Sequence, residues 1–116
     1  MKEYKIVYKG KMISLNDLYS GKHWSHRHKA KTKFRAIFDI LLLEAGVKWM
    51  KEYRVDMVYN SRLDSDNTIP AIKFLNDSLK KKYVPEDDPR YFKGFSVNID
   101  KQLKPDTYVF LIKQLK

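Results

Sequence analysis

Acidic residues are concentrated in one segment of this strongly basic sequence. Residues 61–91, SRLDSDNTIPAIKFLNDSLKKKYVPEDDPRY, hold six of the fourteen aspartate and glutamate residues in a 116-residue chain of formal net charge +10. Asp64 and Asp66 are separated by one residue, and Asp87 and Asp88 are consecutive. Neighbouring carboxylates repel one another unless a cation lies between them, and hard oxygen ligands suit Mg²⁺ and Mn²⁺. The segment is therefore a candidate divalent-metal site.

Local geometry decides whether these carboxylates converge. On an extended stretch, Asp64 and Asp66 would lie on the same face, because side chains alternate between the two faces of a strand. Asp88 would reach them only if the chain folds back after the intervening helix. From the residues alone, two interpretations stay open: metal binding, and the ordinary turn and cap chemistry in which aspartate is common.

An EF-hand calcium loop is excluded at both of its diagnostic positions. If Asp64 is position 1 of such a loop, the sixth position is Ile69 and the twelfth is Leu75. The loop needs glycine at the sixth position for its sharp turn and a bidentate glutamate at the twelfth.

Hydrophobic periodicity predicts the elements that must position these residues. A pattern of threes and fours predicts helices over about 25–45 and 68–82, and alternation predicts strands at 4–8, 53–59, 91–99 and 107–115. Residues 12–16 are expected to form a second strand or an ordered loop, and the last two strands an antiparallel pair. The pattern predicts one α/β (α+β) domain over 1–116, with a mixed sheet of about four to five strands packed against two main helices.

Basic residues dominate the sequence before the acidic segment. No acidic residue occurs between Asp17 and Asp39. The same stretch carries six lysine and arginine residues: Lys22, Arg27, Lys29, Lys31, Lys33 and Arg35. Such an excess attracts polyanions and binds phosphates without reading sequence. We expect these residues to bind the DNA backbone, and the alternative is a solvated helix face.

The remaining composition bears on location. The chain contains no cysteine, which fits a reducing compartment, and no window approaches eighteen consecutive apolar residues. The N-terminal MKEYKIVYKGK lacks the apolar middle of a signal peptide. We therefore expect a cytoplasmic protein without a membrane partner.

The order of the motifs resembles the RusA family of Holliday-junction resolvases. DSDN at 64–67, KFLNDSL at 73–79 and EDD at 86–88 are similar to the family's Asp-x-Asp-Asn, Lys-x-x-x-Asp-x-Leu and Asp-Asp motifs. The resemblance is close over 61–92 and loose over SLNDLYSGKHWSHRHKAK at 14–31. It implies catalytic roles, metal ligands and supporting positions for named residues: Asp64, Asp66, Asp88 and Lys73 as catalytic, the same three aspartates with Asp87 as metal-binding, and Asn67 and Asp77 as supporting.

One spacing departs from the family pattern. Lys73 lies seven residues after Asp66, so TIPAIK is about three residues longer than the family's equivalent. Lys73 and Asp77 are four residues apart, a spacing that also allows an ordinary surface ion pair on a helix.

The resemblance implies a homodimeric endonuclease, bacterial or phage-encoded, that depends on Mg²⁺ or Mn²⁺. Such an enzyme resolves four-way DNA junctions by paired symmetric nicks in DNA recombination and repair, and a twofold dimer suits a twofold junction. Two other interpretations remain. One is a non-catalytic basic nucleic-acid-binding module, and the other is a related nuclease that acts on other branched DNA or RNA.

Overall fold

Four strands and three helices are present in the computed structural model, which describes residues 2–19 and 24–116 except for the side chain of Trp24. The strands are β1 (Glu3–Lys9), β2 (Tyr53–Asn60), β3 (Phe92–Ile99) and β4 (Thr107–Gln114). The helices are α1 (Leu15–Tyr19), α2 (Trp24–Glu44) and α3 (Ile69–Leu79), and a 3-10 turn, Ser65–Thr68, leads directly into α3. The expected α+β domain with a mixed sheet and two main helices is confirmed.

The sheet has the strand order β1-β4-β2-β3. β4 is antiparallel to both of its neighbours, so Val109 faces Val7 on one side and Val58 on the other. β2 and β3 are parallel, with Met57 opposite Val97.

The expected pairing of the last two strands is wrong, because β2 lies between them. After α3 the chain returns to the beginning of β2, where the Tyr53 N–H donates a hydrogen bond to the Tyr91 carbonyl oxygen at 2.9 Å. A strand that starts there after a helical crossover runs parallel to β2. Periodicity identified both strands, but it carries no information about which strands are neighbours.

One face of the sheet is covered by helices. The alternate residues Tyr53, Val55, Met57 and Tyr59 of β2 are fully buried, whereas the residues between them are half-exposed. Predicted helix residues fill the core against them: Phe34, Phe38 and Leu42 of α2, and Ile72, Leu75 and Leu79 of α3. No helix among the described residues packs on the opposite face of the sheet, where the β2 side chains stay half-exposed.

Buried tyrosine hydroxyls establish the direction of α3 over the sheet. Tyr53, at the start of β2, donates to Asn76 Oδ1 in the last turns of α3 at 2.7 Å. Tyr59, near the end of β2, donates to the Leu63 carbonyl oxygen at 2.8 Å, just before the 3-10 turn. α3 therefore runs opposite to β2, and burial raises the pKa of Tyr53, with smaller contributions from Asp87 and Glu86.

Of the two alternatives for residues 12–16, the strand is wrong and the loop is confirmed for 12–14, because α1 begins at Leu15. The Ser14 hydroxyl accepts a hydrogen bond from the Asp17 N–H at 3.0 Å and so caps α1. The sequence signal was present: SLND at 14–17 has the serine-x-x-acid spacing of a helix start.

The second main helix is shorter than the predicted 68–82. It ends at Leu79, where the Lys80 backbone is extended and Lys81 adopts a positive φ of 69°. Pro70 lies in the first turn, the one place where a helix accepts it.

Among the described residues, no helix combines the length and the apolar character needed to span a membrane.

Candidate metal and nucleic-acid site

Asp64 and Asp66 lie at the start of the helical segment that becomes α3. Asp64 has extended backbone, and Asp66 is inside the 3-10 turn. The Asn67 N–H donates to the Asp64 carbonyl oxygen at 2.9 Å. Because Ser65–Thr68 is helical, the expectation that these aspartates lie on one face of an extended stretch is wrong. They occupy the N-terminal end instead, where the helix potential favours negative charge.

The donor set at this turn fits a divalent cation. Asp64 and Asp66 are exposed, and neither forms an ion pair with any residue in 2–19 or 24–116. Mg²⁺ is often bound by one or two carboxylates together with phosphates and water, without a complete protein cage. Two free carboxylates meet that requirement.

Asp87 and Asp88 lie near the start of β2, whereas Asp64 and Asp66 follow its end. The Asp88 carbonyl oxygen accepts hydrogen bonds from the N–H groups of Tyr91 and Phe92 at 3.0 and 2.9 Å, where β3 begins beside Tyr53. Asp64 follows the opposite end of β2, and Tyr53 and Tyr59 are separated by about 20 Å of strand. Within the described ranges, no three histidine, aspartate or glutamate side chains are grouped closely enough to hold a metal ion. One chain therefore does not bring all four predicted ligands together.

Asp88 is bound by an arginine. Arg90 Nε lies 3.0 Å from Asp88 Oδ1, and Arg90 Nη2 lies 2.8 Å from Asp88 Oδ2. The Arg90 N–H also donates to Asp88 Oδ1 at 3.0 Å. These bonds hold the pKa of Asp88 below its usual range.

Lys73 lies on the same side of the helical segment as Asp66. The step of seven residues from Asp66 to Lys73 covers about one 3-10 turn and one α-helical turn, so Lys73 returns to the face of Asp66 about 12 Å further along the axis. The three extra residues therefore add about one turn without rotating Lys73 away.

The partners of Lys73 and Asp77 differ from the expected ion pair. The exposed Lys73 Nζ donates to the Tyr19 hydroxyl of α1 at 3.3 Å, while Asp77 pairs with Lys80 Nζ at 3.7 Å. Sequence reasoning missed Tyr19, because the packing of α1 beside α3 has no local sequence signal.

Three of the predicted DNA-binding residues form one row along α2, and two of them line a groove with α3. Arg27, Lys31 and Arg35 are spaced by four, which places them in one row along α2. Lys31 and Arg35 line a groove of about 270 Å³ with Asp77 and Lys80. We call this the α2–α3 groove, and its walls are tied where the Ser78 hydroxyl of α3 donates to the Arg35 carbonyl oxygen at 3.3 Å.

The remaining predicted basic residues are placed differently. Lys29 and Lys33 lie about 120° or more around α2 from the row of Lys31 and Arg35, and Lys33 Nζ is 5.3 Å from the centre of the Phe34 ring. Arg27 stacks over the Tyr19 ring at 6.0 Å, which connects the row to the partner of Lys73. Lys22 lies outside the described residues.

The chain matches no protein-family model and no curated protein. No relative therefore assigns a role to any residue, and function is inferred from side-chain chemistry and position.

Proposed function

We propose that this protein is a metal-dependent endonuclease that cuts four-way DNA junctions by paired symmetric nicks in recombination and repair. One relationship carries the proposal: helix geometry puts Asp66 and Lys73 on one face of the segment formed by the 3-10 turn and α3. Lys73 lies one turn before Asp77, which lines the α2–α3 groove. Hydrolysis of a phosphodiester needs carboxylates for a metal ion and cations for the phosphate.

Asp64 and Asp66 hold Mg²⁺ or Mn²⁺ in this proposal, together with a DNA phosphate. When bound, the ion would supply a more acidic water and would neutralise the leaving oxygen. Lys73 contributes a positive charge that stabilises the phosphate as negative charge develops on it. Asn67 supports the turn through its N–H, and Asp77 orients Lys80 beside the groove.

The α2–α3 groove binds the DNA backbone. Successive members of the row Arg27, Lys31 and Arg35 are about 6 Å apart along the helix axis. Contacts of this kind position a duplex and make affinity depend on salt, without selecting sequence. Lys29 and Lys33 contribute longer-range attraction, and Lys22 stays a predicted DNA contact.

A second copy of the chain supplies Asp87 and Asp88 in this proposal. The two acid pairs of one chain lie at opposite ends of β2, whereas metal–oxygen distances are about 2.1 Å for Mg²⁺. A twofold homodimer would pair each Asp64 and Asp66 with the Asp88 of the partner copy, and would present two sites to the two strands of a junction.

The test is cleavage of an end-labelled four-way junction in Mg²⁺, Mn²⁺ or EDTA. We expect cleavage with either metal, binding without cleavage in EDTA, and a loss of about 100-fold or more in the cleavage rate for Asp66→Asn. Glu44→Gln, which removes an exposed carboxylate at the end of α2, is the matched control and should behave as the parent protein. Cleavage that survives Asp66→Asn would overturn the ligand assignment.

A second function is favoured by one observation, the row of cations Arg27, Lys31 and Arg35 along α2, which can bind phosphate without a catalytic metal. A non-catalytic nucleic-acid-binding module would bind the junction in EDTA and would leave every substrate intact in both metals.

Three-way branched DNA and branched RNA belong in the same assay, because preferential cleavage of either would indicate a related nuclease with another substrate.

A further inference from the structure

A cavity of about 540 Å³ opens at the end of the sheet where β2 finishes. Three loops contribute to it: the loop after β1 with Lys11, the loop after β2 with Arg62 and Leu63, and the loop before β4 with Lys101 and Asp106. No spacing rule connects these loops in the sequence. A volume of this size lies within the usual range of about 300–1,000 Å³ for small-molecule sites.

Hydrogen bonds hold each wall of the cavity in place. The Gly10 N–H donates to the Asp106 carbonyl oxygen at 2.8 Å, and the Tyr8 hydroxyl donates to the Lys11 carbonyl oxygen at 2.7 Å. Asn60 Nδ2 donates to the Leu103 carbonyl oxygen at 2.7 Å. The cavity is therefore formed before a ligand arrives.

The lining carries an excess of positive charge. Lys11, Arg62 and Lys101 are exposed cations, and none of them forms an ion pair with a residue in the described ranges. Among the residues that the structure describes, Asp106 is the one acid that lines the cavity. Lysine and arginine that lack carboxylate partners are suited to bind an anion, and arginine binds phosphate through two parallel hydrogen bonds.

The rest of the lining suits an uncharged ring. Met12, Leu63 and Pro105 provide apolar walls. The Tyr108 hydroxyl donates to Ser61 Oγ at 2.8 Å, so the Ser61 hydroxyl proton remains available to an acceptor on a ligand. Phosphate-binding cations next to apolar walls and one hydroxyl match the two halves of a nucleotide.

We propose that this cavity binds one unpaired nucleotide of a DNA strand, with its phosphate at Lys11, Arg62 and Lys101 and its base against Met12, Leu63 and Pro105. Arg62 and Leu63 line the cavity and directly precede Asp64, so a strand that enters it continues onto the proposed metal ligands. The inference rests on the proposed function in one respect, namely that the nucleotide belongs to DNA.

The test uses protein-observed NMR in EDTA with thymidine 5′-monophosphate, thymidine and inorganic phosphate as probes. We expect the monophosphate to shift the backbone amides of Ser61, Leu63 and Asp106 at concentrations about tenfold lower than either fragment. Lys101→Gln should weaken this binding about tenfold. Lys48→Gln is the matched control, because Lys48 is an exposed lysine near Tyr4, at the opposite end of β1.

Two results would overturn the inference. Inorganic phosphate that binds as tightly as the monophosphate would identify a general anion site without base recognition. Shifts confined to residues 27–35 would place nucleotide binding in the α2–α3 groove.

Failure of this inference and failure of the nuclease proposal are distinguishable. Monophosphate binding without junction cleavage would leave the cavity assignment intact and remove the catalytic one. Junction cleavage without shifts at the cavity would support the catalytic assignment and remove the cavity assignment.

Discussion

The guanidinium of Arg90 binds both carboxylate oxygens of Asp88, at 3.0 and 2.8 Å. A predicted metal ligand is therefore engaged by a cation of its own chain. Any metal ion that binds Asp88 has to displace Arg90, so this ion pair competes with the metal.

Arg90→Gln should raise the pKa of Asp88 toward the ordinary aspartate value, because the side-chain hydrogen bonds and the charge of Arg90 lower it. Carbon-detected NMR titration of the Asp88 carboxyl group measures the change. The nuclease proposal adds that this variant reaches half-maximal cleavage at a lower Mg²⁺ concentration. Lys48→Gln, which removes a positive charge elsewhere, should alter neither quantity. An unchanged Asp88 titration in Arg90→Gln would contradict the assignment.

Mixing two inactive variants tests whether Asp88 acts across a dimer. In a mixed dimer of Asp66→Asn and Asp88→Asn chains, one composite site has both aspartates intact and the other has neither. Statistical mixing should therefore restore nicking to about one quarter of the parent rate. The nicking assay is run after the two chains are unfolded together and refolded, with each variant alone as its control. No recovery would mean that each chain uses its own Asp88.

Two double variants compare the two sides of α2 at equal charge. Lys31→Gln with Arg35→Gln removes cations of the α2–α3 groove, and Lys29→Gln with Lys33→Gln removes as many from the remaining surface. Each phosphate contact contributes about 0.9 to the magnitude of the slope of log affinity against log salt. The slope of the groove variant should therefore be smaller in magnitude by about 1.8. Its junction affinity should fall about tenfold at low salt. Fluorescence anisotropy in EDTA measures the junction affinity and its salt slope. Equal slopes for the two double variants would contradict the assignment of phosphate binding to the groove.

A cluster on the uncovered face of the sheet makes a pH-dependent contribution to stability. Asp56 accepts hydrogen bonds from Arg54 Nε and Nη2 at 2.8–3.2 Å and from Ser96 Oγ at 2.7 Å, and Lys113 Nζ lies 2.9 Å away. Arg54 makes the largest contribution to holding the pKa of Asp56 well below its usual range. A group whose pKa is lowered by folding stabilises the native state above its unfolded pKa and loses that effect as the pH falls.

Asp56→Asn should therefore lower the free energy of unfolding by about 1–2 kcal/mol at pH 7, a figure that allows for partial solvent screening. The difference in the free energy of unfolding between the parent protein and the variant should be constant above about pH 5 and should shrink below about pH 4. Urea unfolding at pH 7 and pH 3 measures it. Glu3→Gln, which removes an exposed carboxylate on β1, should change the free energy of unfolding little at either pH. A difference that grows on acidification would contradict the expected sign.

Local patterns predicted most elements of the fold and none of the pairings. Alternation identified β2 because every second residue from Tyr53 to Tyr59 is buried. The same alternation fits a strand in any position of a sheet, so the insertion of β2 between β3 and β4 had no local signal. The start of α1 resembles a strand because the apolar residues Met12, Ile13 and Leu15 are closely spaced, whereas the serine cap at Ser14 indicates a helix.

In the candidate site, too, local sequence predicts the features within one segment but not the distances between segments. Lys73 lies on the predicted helix, whereas Asp66, which was expected on an extended stretch, belongs to the 3-10 turn that leads into it. The distance between Asp64 and Asp88 depends on the direction of β3, which is settled by the parallel pairing with β2. The cavity at Lys11, Arg62 and Lys101 depends on three loops meeting in space, so no spacing within the chain could predict it.

The position of β4 between β1 and β2 has a consequence for the order in which the protein can assemble. During synthesis from the N-terminus, β2, α3 and β3 can pair as soon as they emerge, because the crossover that joins them is complete by Ile99. β1 emerges first, yet it has no strand partner until residues 107–114 arrive. Closure of the sheet is therefore a late, long-range step, and a nascent chain that pauses before β4 exposes the unpaired edges of β1 and β2 to other chains.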